Sequence, residues 1–171
     1  SVRTAERALA TSLFRAGREL SAAGKTREAC EKFAESQRLD PAAGTLLNLA
    51  ICHEELGLLA TAWAELNDSL ALALRDGRAD REEIARAHLG ALEPRLPRVT
   101  VELEDRDPPA DLAVSLDDVV LRPAALWTPI PVDPGAHRLV ARAKGRRAFE
   151  LRFGAVEAQS QTLAVPVLAA E

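Results

Sequence analysis

The sequence predicts an α+β chain of two domains, an antiparallel helical-repeat domain of about five helices over residues 1–97 and a small all-β sandwich over residues 98–171. Three observations carry this. Residues 10–42 align with residues 43–75 when the sequence is slid by 33 positions, and a fixed period of that length marks stacked helical hairpins. Helical periodicity ends at Pro94 and Pro97, where alternation begins with Val99, Val101 and Leu103. Beyond that point, short apolar runs such as DLAVSLD are separated by the turn signals DPP, DD, DPG and KG, a pattern of many short strands.

Helices are expected over 3–22, 26–39, 42–56, 59–75 and 79–93. The slide pairs Leu13 with Leu46, Gly17 with Ala50, Gly24 with Gly57, Ala29 with Ala62, Phe33 with Leu66, Ser36 with Ser69 and Leu39 with Leu72. Small residues at 17/50 and 29/62 let two antiparallel helices approach closely, and Phe33 and Leu66 fill the space between neighbouring pairs. Gly24 and Gly57 suit the left-handed turn that ends a helix. The fifth helix, with Asp80 as N-cap and Glu83 three residues on, caps the open end of the stack. After VTVELE and DLAVSLD, about six further short strands are expected.

These residues resemble the tetratricopeptide (TPR) family, which sets small residues at two helix crossings, a large apolar residue in the second helix and a Pro after it; Pro41 takes that last place. The second repeat has no matching Pro, and Leu20 and His53 stand where an aromatic is usual. The stretch TPIPVDPGAHRLVARAKG resembles the PEGA domain family through Thr128, Pro129, Pro134, Gly135 and His137, with the customary aromatic displaced to Phe149. This likeness spans about residues 98–169. Together the two parts are similar to exported bacterial TPR proteins with a C-terminal PEGA-like, Ig-like sandwich. That resemblance implies a protein-binding scaffold of the periplasm or cell envelope, with the cytoplasm as the alternative. The chain opens at Ser1 without an initiator Met, so an export signal could have been removed.

Composition narrows the function. The net charge of -4 is shared between 13 basic and 15 acidic residues up to position 97 and 9 and 11 after it, which is not the basic excess of a nucleic-acid binder. No apolar run reaches the length of a membrane span. His53, His88 and His137 are scattered over both domains, and Cys52 and His53, adjacent on a helix, point about 100° apart. The glycines form no phosphate loop. No catalytic site, cofactor or metal is expected, and the chain is read as a non-enzyme.

Cys30 and Cys52 lie eleven residues either side of Pro41, at equal height in a helical hairpin turning there. They are either a disulfide, which an oxidising compartment would favour, or two buried free thiols. The resemblance to TPR proteins implies a partner-binding face on the first helix of each pair, which places Phe14, Arg15, Arg18, Leu47, Asn48, Ile51, Glu54 and Glu55 there. The alternative is that Phe14, Leu47 and Ile51 pack within the protein. Arg142, Lys144, Arg146 and Arg147 surround Gly145, as a solvated turn or a basic patch for an anionic partner. Stacking on sugars would fall to Trp127, Phe149 and Phe153, of which the two Phe read as core. The expectation is therefore a protein–protein interaction or assembly module, then a cell-wall or polysaccharide-binding module, then a regulatory subunit of an enzyme. The sequence names no partner and no oligomeric state.

Overall fold

Glycine punctuates the helical part of the chain. At Gly24 (φ +76°) and Gly57 (φ +79°) the backbone turns left-handed, so the next amide reaches back five residues: Lys25 N to the Leu20 carbonyl at 2.9 Å, Leu58 N to the His53 carbonyl at 3.0 Å. This closure consumes carbonyls the helix would otherwise leave bare. The computed structural model describes residues 1–171 as two units, Ser1–Arg95 and Leu96–Glu171.

The first unit holds α1 (Val2–Ala22), α2 (Thr26–Leu39), α3 (Ala43–Glu55), α4 (Leu59–Asp76) and α5 (Ala79–Leu92), then a 3-10 turn at Glu93–Arg95. Successive helices pack as antiparallel neighbours, α1 on α2 and α3 on α4 most extensively, with α5 on α4. Between α1, α2 and α3 lies a core of Ala29, Cys30, Phe33, Leu49 and Cys52, flanked by Phe14, Leu20 and Leu56. In the second pair Ala50, Ala62 and Leu66 are fully buried.

One expected cap is corrected. Asp80 is not the N-cap of α5; Arg78 occupies that position without a side-chain cap. The Arg78 amide is already bound to the Ala73 carbonyl in a third glycine closure at Gly77, so the chain re-enters helix two residues early. Asp80 then sits in the first turn, where a hydrogen bond from the Arg78 guanidinium holds its pKa at about 2.

The second unit has seven strands: β1 (Arg98–Leu103), β2 (Ala113–Leu116), β3 (Val119–Leu121), β4 (Ile130–Pro131), β5 (Gly135–Arg142), β6 (Phe149–Ala155) and β7 (Ser160–Val165). Five strands, rather than about six, follow β2. The chain at Pro108–Pro109 and the 3-10 turn Pro123–Ala125 stay out of the sheets, because proline lacks the ladder donor.

One sheet runs β4-β1-β7 and the other β3-β2-β5-β6. β1 and β7 are parallel, in register from Arg98 opposite Ser160 to Leu103 opposite Val165; the second sheet is antiparallel throughout. Alternation sends Val99, Val101, Leu163 and Val165 of the first sheet and Val114, Leu116, Leu139, Ala141 and Ala155 of the second into one apolar core. The tip of the β5–β6 hairpin is tied to the last residues of the chain, with Arg147 N on the Ala169 carbonyl (2.8 Å) and Glu171 N on the Gly145 carbonyl (3.1 Å).

Candidate functional site

A cleft of about 160 Å³ opens beside α1, lined by Ala10, Thr11, Phe14, Ser36, Asp40, Ala42 and Thr45. Helical spacing places Ala10, Thr11 and Phe14 on neighbouring positions of one α1 face, and the α2–α3 turn brings Asp40 and Ala42 to its rim. Phe14 leans on Phe33 with ring centroids 5.8 Å apart and planes at 53°, while the Arg18 guanidinium lies 5.9 Å from the Phe14 ring centre. Ser36 donates to the Ala10 carbonyl at 2.7 Å. Asp40 takes a hydrogen bond from Arg3 and lies 3.9 Å from the Arg7 guanidinium. Thr45 is only 7% exposed as a residue and lines the cleft. A cleft walled by Ala10, Phe14 and Ala42 and edged by Thr11, Asp40 and Thr45 suits a peptide side chain and its amide; no nucleophile–base pair stands there.

The residues expected to bind a partner divide. Phe14 lines the cleft, Arg15 and Arg18 are exposed beside it, and Glu55 is exposed on α3 with its carboxylate 3.5 Å from the Thr26 hydroxyl. Leu47 is buried at 6% exposure and Ile51 half-buried. Asn48 spends its amide on the Gly44 carbonyl, 2.9 Å away. Glu54 accepts from His88 of α5 at 2.6 Å. α5 therefore engages part of the α3 face, as the arginine of Arg81, 3.1 Å from where a Gly44 Cβ would stand, also shows. Sequence reasoning missed Ala10, Thr11, Asp40, Ala42 and Thr45. The hint was the small and hydroxylated residues one helical turn from Phe14 on α1.

Cys30 of α2 and Cys52 of α3 form a disulfide, with Cα atoms 5.6 Å apart. It lies within the core that includes Phe33 and is flanked by Phe14, so it fixes the helices framing the cleft.

In the second unit the four basic residues share the β5–β6 hairpin. The Arg146 guanidinium donates to the Leu168 carbonyl at 3.0 Å; Arg142, Lys144 and Arg147 are exposed with no side-chain ion pair, and the Lys144 amide donates to the Asp111 carboxylate at 2.8 Å. Phe149 and Phe153 pack against the core, whereas Trp127 is 58% exposed.

Each of the three histidines meets a carboxylate: His53 with Glu65, His88 with Glu54, and His137 with Asp117. His137 is the most constrained. Its Nδ1 is 2.6 Å from the Asp117 carboxylate and its Nε2 2.5 Å from the Asp133 carbonyl, and its ring stacks on Phe153. Both partners are acceptors, and the protonated ring, with a donor on each nitrogen, satisfies both of them. Burial opposes that charge, but the bonds to Asp117 and Asp133 outweigh it and raise the pKa above the usual histidine value. No three His, Cys, Asp or Glu side chains converge in metal-binding geometry.

In comparisons with protein-family models, curated proteins and solved structures, nothing matched this chain.

Proposed function

We propose that the chain is a non-enzymatic protein-interaction or assembly module of the bacterial cell envelope, in which a TPR-like helical unit holds a peptide segment along α1 and a PEGA-like, Ig-like β unit follows it. The observation that carries this reading is the α1 cleft, which Phe14 and Thr45 line together. The disulfide supports the envelope location, since such bonds persist in oxidising compartments.

Peptides selected by display against the intact chain test it. Thr45→Val keeps the side-chain shape and removes only the hydroxyl, so affinity for the selected peptides should fall about five- to tenfold, the worth of one hydrogen bond. Peptides indifferent to Thr45→Val and to Phe14→Ala would move the binding face elsewhere.

A second reading is binding of an anionic cell-wall polysaccharide, favoured by the three unpaired cations Arg142, Lys144 and Arg147 on one hairpin. Replacing all three by Gln should abolish retention on an anionic glycan matrix and leave peptide binding intact.

A further inference from the structure

The edge of the four-stranded sheet is unusual in being apolar. β3 is an edge strand, and Val119 and Val120 are each 64% exposed on it. Natural sheets generally blunt such edges with charge, because free backbone donors and acceptors recruit further strands.

The hydrogen-bonding side of β3 can be read from the turn before it. Asp117 (φ 49°) and Asp118 (φ 66°) are both left-handed, which is the two-residue turn that makes the flanking Leu116 and Val119 a mutually bonded pair. Asp117 N, one position after Leu116, bonds to Arg138 of β5 on the side away from β3, at 2.9 Å, in agreement with that phase. Alternation therefore turns Val119 and Leu121 toward β2 and leaves the N–H and C=O of Val120 pointing away from the sheet.

Around Val120 the sequence is its own complement. An antiparallel copy centred on Val120 sets Val120 against Val120, Val119 against Leu121 and Asp118 against Arg122 on both sides of the dyad. Asp118 is 91% exposed and only 3.9 Å from the Arg138 guanidinium; Arg122 is exposed with no partner. Like charges at those two positions would repel a second copy, whereas opposite charges draw it in and fix its register. We propose that β3 is a self-pairing edge: two chains join antiparallel through Val119–Leu121 about a two-fold axis at Val120, with reciprocal Asp118–Arg122 ion pairs. The pairing is isologous and therefore stops at the dimer. It is independent of the peptide-binding reading.

Sedimentation of the intact chain over a concentration series tests this. A weak dimer, with a Kd on the order of 10–100 μM, is expected for so small a contact, weakening as salt rises. Arg122→Asp and Asp118→Lys should each weaken dimerisation at least about tenfold, and the two together should restore it to within about threefold, because acid again faces base. Val120→Pro should abolish it by removing the outward donor while sparing the bonds to β2. Should Asp118→Lys fail to fold at its left-handed position, Arg122→Asp and Val120→Pro carry the test, since Arg122 has an ordinary φ of -69°. A chain that stays monomeric throughout, or a dimer that ignores both Arg122→Asp and Val120→Pro, would overturn the proposal.

Discussion

Gly17 is the bed on which the Phe33 ring lies. A Cβ at Gly17 would stand 2.7 Å from Cε1 and 2.8 Å from Cδ1 of Phe33, inside any tolerated contact. One repeat later the pair is Ala50 and Leu66, both fully buried: where the large residue shrinks, the small one grows. Gly17→Ala gains helix propensity, about 1 kcal/mol, but the overpacking costs about 1–3 kcal/mol, so a net loss of up to about 2 kcal/mol is expected in urea unfolding. Phe33→Ala should cost about 3–5 kcal/mol. In a Phe33→Leu background the Gly17→Ala penalty should largely vanish, and an additive double variant would contradict the contact.

The same register offers a contrast of sign. Ser36 donates to the Ala10 carbonyl, whereas Ser69, its counterpart, is buried with no hydrogen-bond partner. α1 runs eight residues beyond Ala10 toward its start, while α3 begins at Ala43, the matching position. Ser36→Ala should lose about 1 kcal/mol, and Ser69→Ala should be neutral or gain up to about 1 kcal/mol. Thermal or denaturant unfolding of the two variants decides it.

The Cys30–Cys52 bridge joins residues 22 apart, for which chain entropy alone gives about 3 kcal/mol. The Cys30→Ser, Cys52→Ser double variant should unfold at correspondingly lower urea concentration, and the oxidised wild type should be about two hydrogens lighter by mass spectrometry than after reduction. Two alkylatable thiols in folded, exported protein would contradict the bridge.

His137 makes the second unit sensitive to pH. Its folded pKa is raised, so its stabilisation is complete below its unfolded value, about 6.5, and is lost as pH rises through the folded pKa. The charges facing it are the Asp117 carboxylate in the β2–β3 turn and Asp133 before β5, with Arg152 of β6 alongside. The stability difference between wild type and His137→Gln should therefore be largest in mild acid and shrink toward pH 9. An imidazole titration below 6.5 by NMR would reverse that order.

Much of this architecture was legible because its signals are local. The period of 33, the glycine closures and the Val99–Leu103 alternation each act within a few residues, and helix ends fell within two residues of the expected positions. Asp80 misled because a good capping sequence was pre-empted by the closure at Gly77. The cleft was only half legible: Phe14 was visible as an apolar residue on the first helix, but Asp40, Ala42 and Thr45 reach it through the α2–α3 turn, a relationship no spacing on one helix reveals. Leu47 looked like a contact residue for the converse reason, since the helix packing that buries it lies outside its own stretch of sequence.

The parallel pairing of β1 with β7 has a mechanical consequence. These are the first and last strands of their unit, joined over six consecutive residue pairs from Arg98–Ser160 to Leu103–Val165. Tension applied between the start of β1 and the end of β7 pulls the two strands lengthwise past each other, so the hydrogen bonds crossing between them share the load rather than opening one at a time. Force entering at those two points meets a shear clamp, and the domain transmits the pull before it yields.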